Sequence, residues 1–308
     1  MLSRKGRVLE VQYVIGVDGG GTKTVAVAYD LEGNVLGEGR SGFSNVMVDF
    51  HEATKHILAA IKQAQQHLEN EDCKYIYLGI AGSEGIENKD ELIQILADEF
   101  QSEISVVNDS IIAHAATLKG KDGILAISGT GAIAVGIKGD KCVFSGGWGH
   151  LLGDEGSGYW IVMEAFRQII VETDESLPLC KLSDAILYEM GYTDPQDIKL
   201  YAYSRPKAEI AKLSRVVTRL ADAGDEIASR ILYDAGQQLG RMTWNCCKKL
   251  GLNDEVVIGL SGSIFEHIPQ VMDSYKQYLS EKIQVPITLV QNEVPATKGA
   301  YYLATKTV

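Results

Sequence analysis

The chain has 308 residues, of which 45% are hydrophobic and 23% charged, so it is long enough for two domains with full cores. A formal net charge of −12 argues against a nucleic-acid partner, and no apolar run reaches the length of a membrane span. The five cysteines lack metal-ligand spacing and indicate reduced thiols. We therefore expect a cytoplasmic protein that handles small molecules; residues 1–10 are basic but lack the apolar core of a secretory signal.

The first predicted elements lie in residues 13–30, Y-V-I-G-V-D-G-G-G-T-K-T-V-A-V-A-Y-D. Two apolar runs around a glycine cluster are typical of a β-hairpin. Because glycine tolerates positive φ and close backbone approach, the turn can direct N–H groups at an anion, with Thr22 and Lys23 nearby. The P-loop pattern fails because Thr22 stands in place of its lysine, and the dinucleotide fingerprint fails because a strand follows the glycines. An ordinary tight turn remains the alternative.

Three further strands then alternate with three amphipathic helices, which gives the order βββαβαβα. We predict the strands at 35–38, 75–80 and 104–107 and the helices at 49–70, 89–101 and 111–118. The strand at 104–107 runs into N-D-S, where Asp109 is either the N-cap of the next helix or a carboxylate presented at a strand end.

The pattern of the opening hairpin then recurs. Strands are predicted at 123–128, 132–137 and 142–144, with a G-T-G turn at 129–131 between the first two. Both copies run strand, glycine turn, strand, turn, strand, which indicates an internal duplication. We expect two similar domains, each offering a phosphate-binding hairpin to a shared cleft. Chance similarity of two hairpins is the alternative.

The densest stretch of glycine and polar residues follows, S-G-G-W-G-H-L-L-G-D-E-G-S-G-Y at 145–159. A loop this rich in glycine loses much entropy on ordering, so a role beyond connection is expected. Asp154 and Glu155 precede a helix predicted over 158–171, where capping alone would explain one of them. Trp148 is either a core residue or part of a site.

The remainder is mostly helical. Helices are predicted at 181–190, 207–223, 226–250, 264–279 and 296–305, and strands at 255–260 and 286–291. The S-G-S turn at 261–263 leads into a helix, whose N-terminus can receive a nucleotide's phosphate or ribose. The adjacent Cys246 and Cys247 point in different directions on a helix, which favours a buried, inert role over metal or redox chemistry.

Seven strings together resemble the sugar kinase/Hsp70/actin superfamily, and within it the BadF/BadG/BcrA/BcrD-type ATPases and the N-acetylglucosamine kinases. They are G-V-D-G-G-G-T-K-T, S-N, G-I-A-G, N-D-S, I-S-G-T-G, G-G-W-G-H-L-L-G-D-E-G-S-G-Y-W and G-L-S-G-S. The resemblance implies an α/β fold of two ribonuclease-H-like domains, the actin-like ATPase fold, with an interdomain cleft. We expect the first domain at 1–118, with 296–308 packing on it, and the second at 119–295.

The resemblance also implies an ATP-dependent kinase that transfers the γ-phosphate to a hydroxyl, the 6-OH, of an amino sugar. Asp109 would accept the proton of that hydroxyl, and Asp18 would hold Mg²⁺ through water. The residues implied for ATP are Gly20, Gly21, Thr22, Lys23, Gly129, Thr130, Gly131, Gly262 and Ser263. The residues implied for the sugar, besides Asp109, are Asn45, Gly147, Trp148, Gly149, His150 and Asp154.

One departure leaves the sugar open. The N-acetylglucosamine kinases have a polar S-N pair after S-G-T-G, where this chain has Ala132-Ile133. N-acetylglucosamine, N-acetylmuramic acid and glucosamine are all candidate substrates. An ATPase that activates a dehydratase or reductase is the alternative from another class, although no cysteine lies in a glycine-rich loop before a helix. We expect a homodimer with no nucleic-acid or membrane partner.

Overall fold

The computed structural model describes residues 11–68, 72–83 and 88–306, so the expectation for residues 1–10 lies outside it. The chain divides into two compact units. Unit 1 comprises Met1–Lys121 and Asn292–Val308, and unit 2 comprises Asp122–Gln291.

Unit 1 contains a five-stranded sheet of order β3-β2-β1-β4-β5. The strands are β1 (Gln12–Gly19), β2 (Thr24–Asp30), β3 (Val35–Ser41), β4 (Asp72–Ile80) and β5 (Glu103–Val107). The first three are antiparallel, whereas β4 and β5 run parallel to β1. In the register, Gly19 pairs with Ile80 and Gly79 with Val107, so the carboxyl ends of β1, β4 and β5 share one edge of the sheet.

In the described residues of unit 1, four helices cover the sheet: α1 (Phe50–Ala64), α2 (Lys89–Phe100), α3 (Asp109–Leu118) and α12 (Ala296–Ala304). The Asp49 side chain caps α1 by accepting from the Glu52 N–H at 3.0 Å. Helix α12 lies directly on the sheet and on α3. A Cβ added to Gly16 would lie 2.2 Å from the Thr297 carbonyl oxygen, and one added to Gly299 would lie 1.8 Å from that of Ile112. Glycine at these two positions therefore permits the close packing.

Unit 2 repeats this topology in its own sheet, of order β10-β9-β6-β7-β8. The strands are β6 (Gly123–Ser128), β7 (Ala132–Lys138), β8 (Lys141–Gly146), β9 (Val256–Ser261) and β10 (Ile287–Gln291). Strands β6, β7 and β8 are antiparallel, and β9 and β10 run parallel to β6. The duplicated pattern in the sequence thus corresponds to two sheets with the same order and the same strand directions.

The helices of unit 2 are α4 (Gly158–Asp174), α5 (Lys181–Met190), α6 (Asp197–Ser204), α7 (Lys207–Ala211), α8 (Ser214–Asp222), α9 (Glu226–Leu250), α10 (Ser263–His267) and α11 (Pro269–Lys282). Helix α6 was not predicted, and the predicted helix 207–223 is divided into α7 and α8. The predicted helix 264–279 is broken at Ile268, because Pro269 disfavours helical geometry in the residue before it. No helix among the described residues is long and apolar enough to cross a membrane.

Candidate functional site

The turn between β1 and β2 presents unpaired backbone donors. Gly20 closes the turn by donating to the Lys23 carbonyl at 3.0 Å. Within the described part of the chain, the N–H groups of Gly21, Thr22 and Lys23 have no protein acceptor, and all three residues are exposed. A cluster of free N–H groups beside a lysine is suited to an anion.

The glycines of this turn are not required by its backbone. Neither Gly20 nor Gly21 has a positive φ, so of the two properties of glycine considered above, positive φ and close backbone approach, the turn does not use the first. A Cβ on Gly21 would have nothing within 4 Å, and one on Gly20 would meet only the Lys23 carbonyl oxygen at 3.9 Å. The protein leaves open space beside both residues, which is compatible with close approach of a ligand.

Two carboxylates of unit 1 lie close enough for their charges to interact. Burial raises the pKa of Asp18, at the end of β1, and the charge of Asp109 raises it further, while Lys23 opposes the change. Burial also raises the pKa of Asp109, against the hydrogen bond from the Ser110 backbone N–H. The sheet thus brings together a predicted metal-holding residue and a predicted base that are far apart in the sequence.

The alternative role for Asp109, the N-cap of the following helix, belongs to its neighbour. The Asn108 side chain accepts from the Ser110 N–H at 3.0 Å and from the Ser110 hydroxyl at 2.6 Å, and its backbone is extended, as an N-cap requires. Asp109 is the first helical residue, and the nearby Ser110 N–H also lies 2.9 Å from its Oδ1. Capping therefore does not explain the half-buried carboxylate of Asp109.

The loop that carries Asn45 is attached to the same edge of the sheet. Ser44 donates its N–H to the Gly20 carbonyl at 2.9 Å, and Ala81 donates to that of Gly19 at 2.8 Å. A Cβ on Gly82, which has φ of +75°, would lie 2.9 Å from the Asn45 Oδ1. These contacts place Asn45 beside the ends of β1 and β4, in the same unit as Asp18 and Asp109.

Sequence reasoning missed two buried hydroxyls near this loop. Ser44 and Ser83 are 0% and 1% exposed, and their Oγ atoms have no hydrogen-bond partner among the residues that the structure describes. For Ser83 a repeated string was available as a signal, because the chain reads I-A-G-S at 80–83, where β4 ends, and L-S-G-S at 260–263, where β9 ends. The glycine has a positive φ in both, +75° at Gly82 and +102° at Gly262.

The turn between β6 and β7 in unit 2 also presents free donors. Gly129 donates to the Gly131 carbonyl at 3.0 Å and accepts from the Gly158 N–H at 2.8 Å. The N–H groups of Thr130 and Gly131 have no acceptor among the residues that the structure describes. Gly129 has no positive φ, and a Cβ there would meet only the Ser263 Oγ, at 3.9 Å. The three predicted residues therefore form a second turn, in which Thr130 is exposed and open space lies beside Gly129.

Asp154 lies directly against this second turn. It is 3% exposed, its φ is +64°, and its Oδ1 accepts from the Ala132 N–H at 3.2 Å. Its Oδ2 lies 2.5 Å from the Nζ of Lys207. Lys207 was not among the predicted site residues, because its position at the start of a helical stretch carries no motif.

The loop 147–150 is exposed in unit 2. Trp148 is 74% exposed, so the alternative that it is a core residue is wrong. Gly147 and Gly149 have φ of +74° and +80°, which keeps glycine at both positions. The His150 ring makes an edge contact with Tyr159, with 5.1 Å between the ring centroids. An exposed indole can cover an apolar face of a ligand.

Ser263, which follows Gly262 in the S-G-S turn, lines a cavity of about 410 Å³ in unit 2. Gly262 is required by packing as well as by its φ, since a Cβ there would lie 2.3 Å from the Ser128 carbonyl oxygen. Besides Ser263, the walls include Ser214, Arg215, Thr218, His267 and Ile268. The contribution of α8 was missed because its amphipathic pattern predicts only a scaffold helix.

The cysteines are consistent with the inert role predicted for the adjacent pair. Cys246 and Cys247 are 0% and 2% exposed, and burial raises their pKa to about 12 and about 11. Among the described residues, no three His, Cys, Asp or Glu side chains cluster in a manner that would hold a metal ion. A thiol protonated at neutral pH is a poor ligand and nucleophile.

Comparison with known sequences agrees with these features. The profile of the BadF/BadG/BcrA/BcrD ATPase family matches residues 15–304. An N-acetylmuramic acid/N-acetylglucosamine kinase from Clostridium acetobutylicum is 34% identical over 282 residues, which are 88% of this chain and 91% of that protein. An N-acetyl-D-glucosamine kinase from Dictyostelium discoideum is 33% identical over 264 residues, 78% of this chain and 81% of the relative.

A solved structure from Chromobacterium violaceum, assigned as an N-acetylglucosamine kinase, aligns with a TM-score of 0.73. The alignment covers 96% of this chain and 99% of that one at 24% identity, so it supports the fold alone. The predicted fold, two ribonuclease-H-like units of the actin-like ATPase type, is confirmed. The match along nearly all of the sequence identifies the relatives: this chain belongs to the BadF/BadG/BcrA/BcrD ATPase family.

Proposed function

We propose that this protein is an ATP-dependent amino-sugar kinase, which transfers the γ-phosphate to the 6-hydroxyl of N-acetylglucosamine or N-acetylmuramic acid. The similarity to two kinases of these sugars supports the substrate class. The observation that carries the proposal is the pair Asp18 and Asp109, two half-buried carboxylates within electrostatic reach at the edge where the free N–H groups of the first turn also lie.

Asp109 is the proposed general base. Its carboxylate accepts the proton of the sugar hydroxyl as the oxygen attacks the γ-phosphorus. The cap made by Asn108 leaves the Asp109 side chain available for this task. Burial raises the pKa of Asp109, which makes its carboxylate a stronger base for this proton.

The two glycine turns are the proposed phosphate-binding elements. Gly20, Gly21, Thr22 and Lys23 act from unit 1, and Gly129, Thr130 and Gly131 act from unit 2. In each turn some N–H groups have no acceptor in the described part of the chain and are suited to phosphate oxygens, and the open space beside Gly20, Gly21 and Gly129 allows these oxygens to approach. Gly262 and Ser263 are proposed to flank the adenosine, because Ser263 lines a cavity of about 410 Å³ and Gly262 directly precedes it.

Mg²⁺ fits the donor chemistry at Asp18. A hard cation of this size takes one or two carboxylates and completes its shell with water and phosphate oxygens, so a cluster of three protein ligands is not needed. Asp18 would hold the ion, directly or through water, and when bound the ion would neutralise charge on the phosphates. The interaction between Asp18 and Asp109 also favours a bound cation, because one positive ion relieves the repulsion between two carboxylates.

The sugar is proposed to contact Asn45 and Asp109 in unit 1 and the segment with Gly147, Trp148, Gly149, His150 and Asp154 in unit 2. The exposed Trp148 indole is suited to the acetyl methyl group or to an apolar face of the sugar. We further propose that the protein acts in the cytoplasm as a homodimer, without a nucleic-acid or membrane partner.

A coupled assay tests the function. Purified protein is incubated with ATP, Mg²⁺ and each of N-acetylglucosamine, N-acetylmuramic acid, glucosamine and glucose, and ADP release is followed. We expect one of the N-acetylated sugars to give the highest kcat/KM and phosphorus-coupled NMR to locate the phosphate on C6. ADP release that no sugar accelerates would contradict the proposal, and Asp109→Asn is the matched inactive control.

A further inference from the structure

We propose that Lys207 is a phosphate-binding residue beside the second turn, 129–131. Its ammonium group binds the ATP triphosphate directly, and Asp154 holds that ammonium group in place. The proposal rests on the proposed function only in taking ATP as the ligand. It adds a positive charge to a turn that the sequence motifs present as glycine and threonine alone.

The first observation is the position of the ammonium group. The Lys207 Nζ lies 2.8 Å from where a Cβ on Gly131 would be, so it lies directly over the backbone of the turn. The N–H groups of Thr130 and Gly131, which have no acceptor among the described residues, belong to the same turn. A phosphate that accepts from these N–H groups would have the ammonium group as its neighbour.

The second observation is the unused hydrogen-bonding capacity of Lys207. An ammonium group has three donors. Within the part of the chain that the structure describes, Asp154 is its one acceptor, at 2.5 Å. The side chain of Lys207 is 27% exposed, whereas that of Asp154 is 5% exposed. The remaining N–H donors of Lys207 can therefore reach a ligand, whereas the Asp154 carboxylate stays buried.

The third observation is how firmly Asp154 is fixed. Its Oδ1 accepts from the Ala132 N–H, and the residue is held at a φ of +64°, a conformation that costs energy for a residue other than glycine. The Asp154 carboxylate thus contacts both Ala132, the first residue of β7, and Lys207. Asp154 acts here as a positioning residue, which keeps a long, flexible side chain over the turn before ATP arrives.

Nucleotide affinity tests the proposal without any sugar. Adenosine, AMP, ADP and ATP are titrated calorimetrically into the wild type and Lys207→Met, with Lys212→Met as control because Lys212 is exposed and has no ion pair in the described residues. We expect the Kd of ATP to rise about 10- to 100-fold in Lys207→Met, as for loss of a charged hydrogen bond. Adenosine affinity stays within about twofold, and Lys212→Met resembles the wild type.

Lys207→Met leaves Asp154 buried without its cation and can fail to fold. The double variant Lys207→Met/Asp154→Asn removes both charges and keeps an acceptor for the Ala132 N–H. If Lys207 only supports the turn, this folded double variant recovers wild-type ATP affinity, and the proposal is overturned. If Lys207 binds phosphate, ATP affinity stays weak in the double variant and is largely recovered in Lys207→Arg.

The role of Lys207 and the kinase activity are contradicted by different results. A wild type that binds ATP with an affinity unchanged by loss of Lys207 overturns the role of this lysine and leaves the kinase proposal intact. A wild type that binds no ATP overturns both. ATP binding that depends on Lys207, without sugar phosphorylation, supports the lysine and overturns the kinase.

Discussion

The two glycine turns occupy equivalent places in two sheets of the same topology, yet the side chains around them differ. In unit 1 the strand before the turn ends in a half-buried carboxylate, Asp18, with Asp109 in electrostatic reach. In unit 2 the corresponding strand ends in Ser128, a fully buried residue whose hydroxyl donates to the Gly156 carbonyl at 3.0 Å. The same backbone frame thus carries acids in one copy and an internal hydrogen bond in the other.

The charged side chains near the two turns also differ. Unit 1 places two acids, opposed by Lys23, close to its turn, whereas the acid of unit 2, Asp154, is neutralised by Lys207. A pair of acids is suited to a cation and to proton transfer, and a paired lysine is suited to an anion. We therefore expect loss of an acid in unit 1 to affect turnover, and a change in the turn of either unit to affect nucleotide affinity.

The largest expected effect is on turnover when the base is removed. Asp109→Asn should lower kcat by about 10²- to 10⁴-fold, the usual contribution of a general base, with the Kd of ATP nearly unchanged. Stopped-flow measurement of the transfer step and calorimetry of ATP binding separate the two quantities. The matched control in unit 2 is Ser128→Ala, which should lower kcat much less. Near-normal turnover in Asp109→Asn would assign the base to another residue.

The next largest effect is on the free energy of unfolding, and it distinguishes glycines that the fold requires from glycines proposed to make room for a ligand. Gly262→Ala should reduce the free energy of unfolding by at least about 2 kcal/mol, because its φ is +102° and an added Cβ would lie 2.3 Å from a carbonyl oxygen. Gly129→Ala should change that energy by less than about 0.5 kcal/mol, since its backbone is unstrained and the space is open.

The same Gly129→Ala variant should raise the KM for ATP about 10-fold, because the methyl group would occupy the space proposed for phosphate. Gly21→Ala should do the same in unit 1, where a Cβ meets nothing within 4 Å. Chemical denaturation and steady-state kinetics give the two readouts. Unchanged KM values in both variants would mean that the open space has no ligand.

The topology and most candidate residues were accessible from the sequence, because they lie in local patterns. The apolar runs and glycine turns predicted both three-stranded meanders, and N-D-S and V-D-G-G-G marked the two acids. Lys207 was not accessible, since its partner Asp154 is distant in sequence and α7 carries no motif. The property of glycine that Gly20 and Gly21 serve was not accessible from the sequence either. Only the folded turn shows that neither residue has a positive φ.

The pH dependence of catalysis should reveal the acids of unit 1. A base must be ionised, and burial raises the pKa of Asp109, so kcat should fall with acid at a pH above the ordinary aspartate value of 3.8. Coupling between charges is reciprocal. In Asp18→Asn without Mg²⁺ or ATP, the pKa of Asp109 should therefore be lower than in the wild type, because a neighbouring negative charge is gone, and carboxyl-carbon NMR titration measures it. An unchanged or higher pKa of Asp109 in this variant would show that the two acids do not repel each other.

The smallest effect is on stability. Because burial and the charge of Asp109 raise the pKa of Asp18, the folded chain binds this proton more tightly than the unfolded chain does. Stability therefore falls as pH rises from the ordinary aspartate pKa through the raised one, and the loss is complete at neutral pH. Asp18→Asn should raise the Tm at pH 7 and lose this advantage near pH 3.

A matched control in the same unit sharpens the stability test. The Asn34 side chain lowers the pKa of the exposed Asp30, so its ionised form is the one that the fold favours. Asp30→Asn should therefore lower the Tm at pH 7 slightly or leave it unchanged, opposite in sign to Asp18→Asn. Thermal unfolding of both variants at several pH values compares Asp18, an acid proposed to serve function, with Asp30, an acid that stabilises a turn. If Asp18→Asn also has a lower Tm than the wild type at pH 7, the ionised Asp18 does not destabilise the fold as proposed.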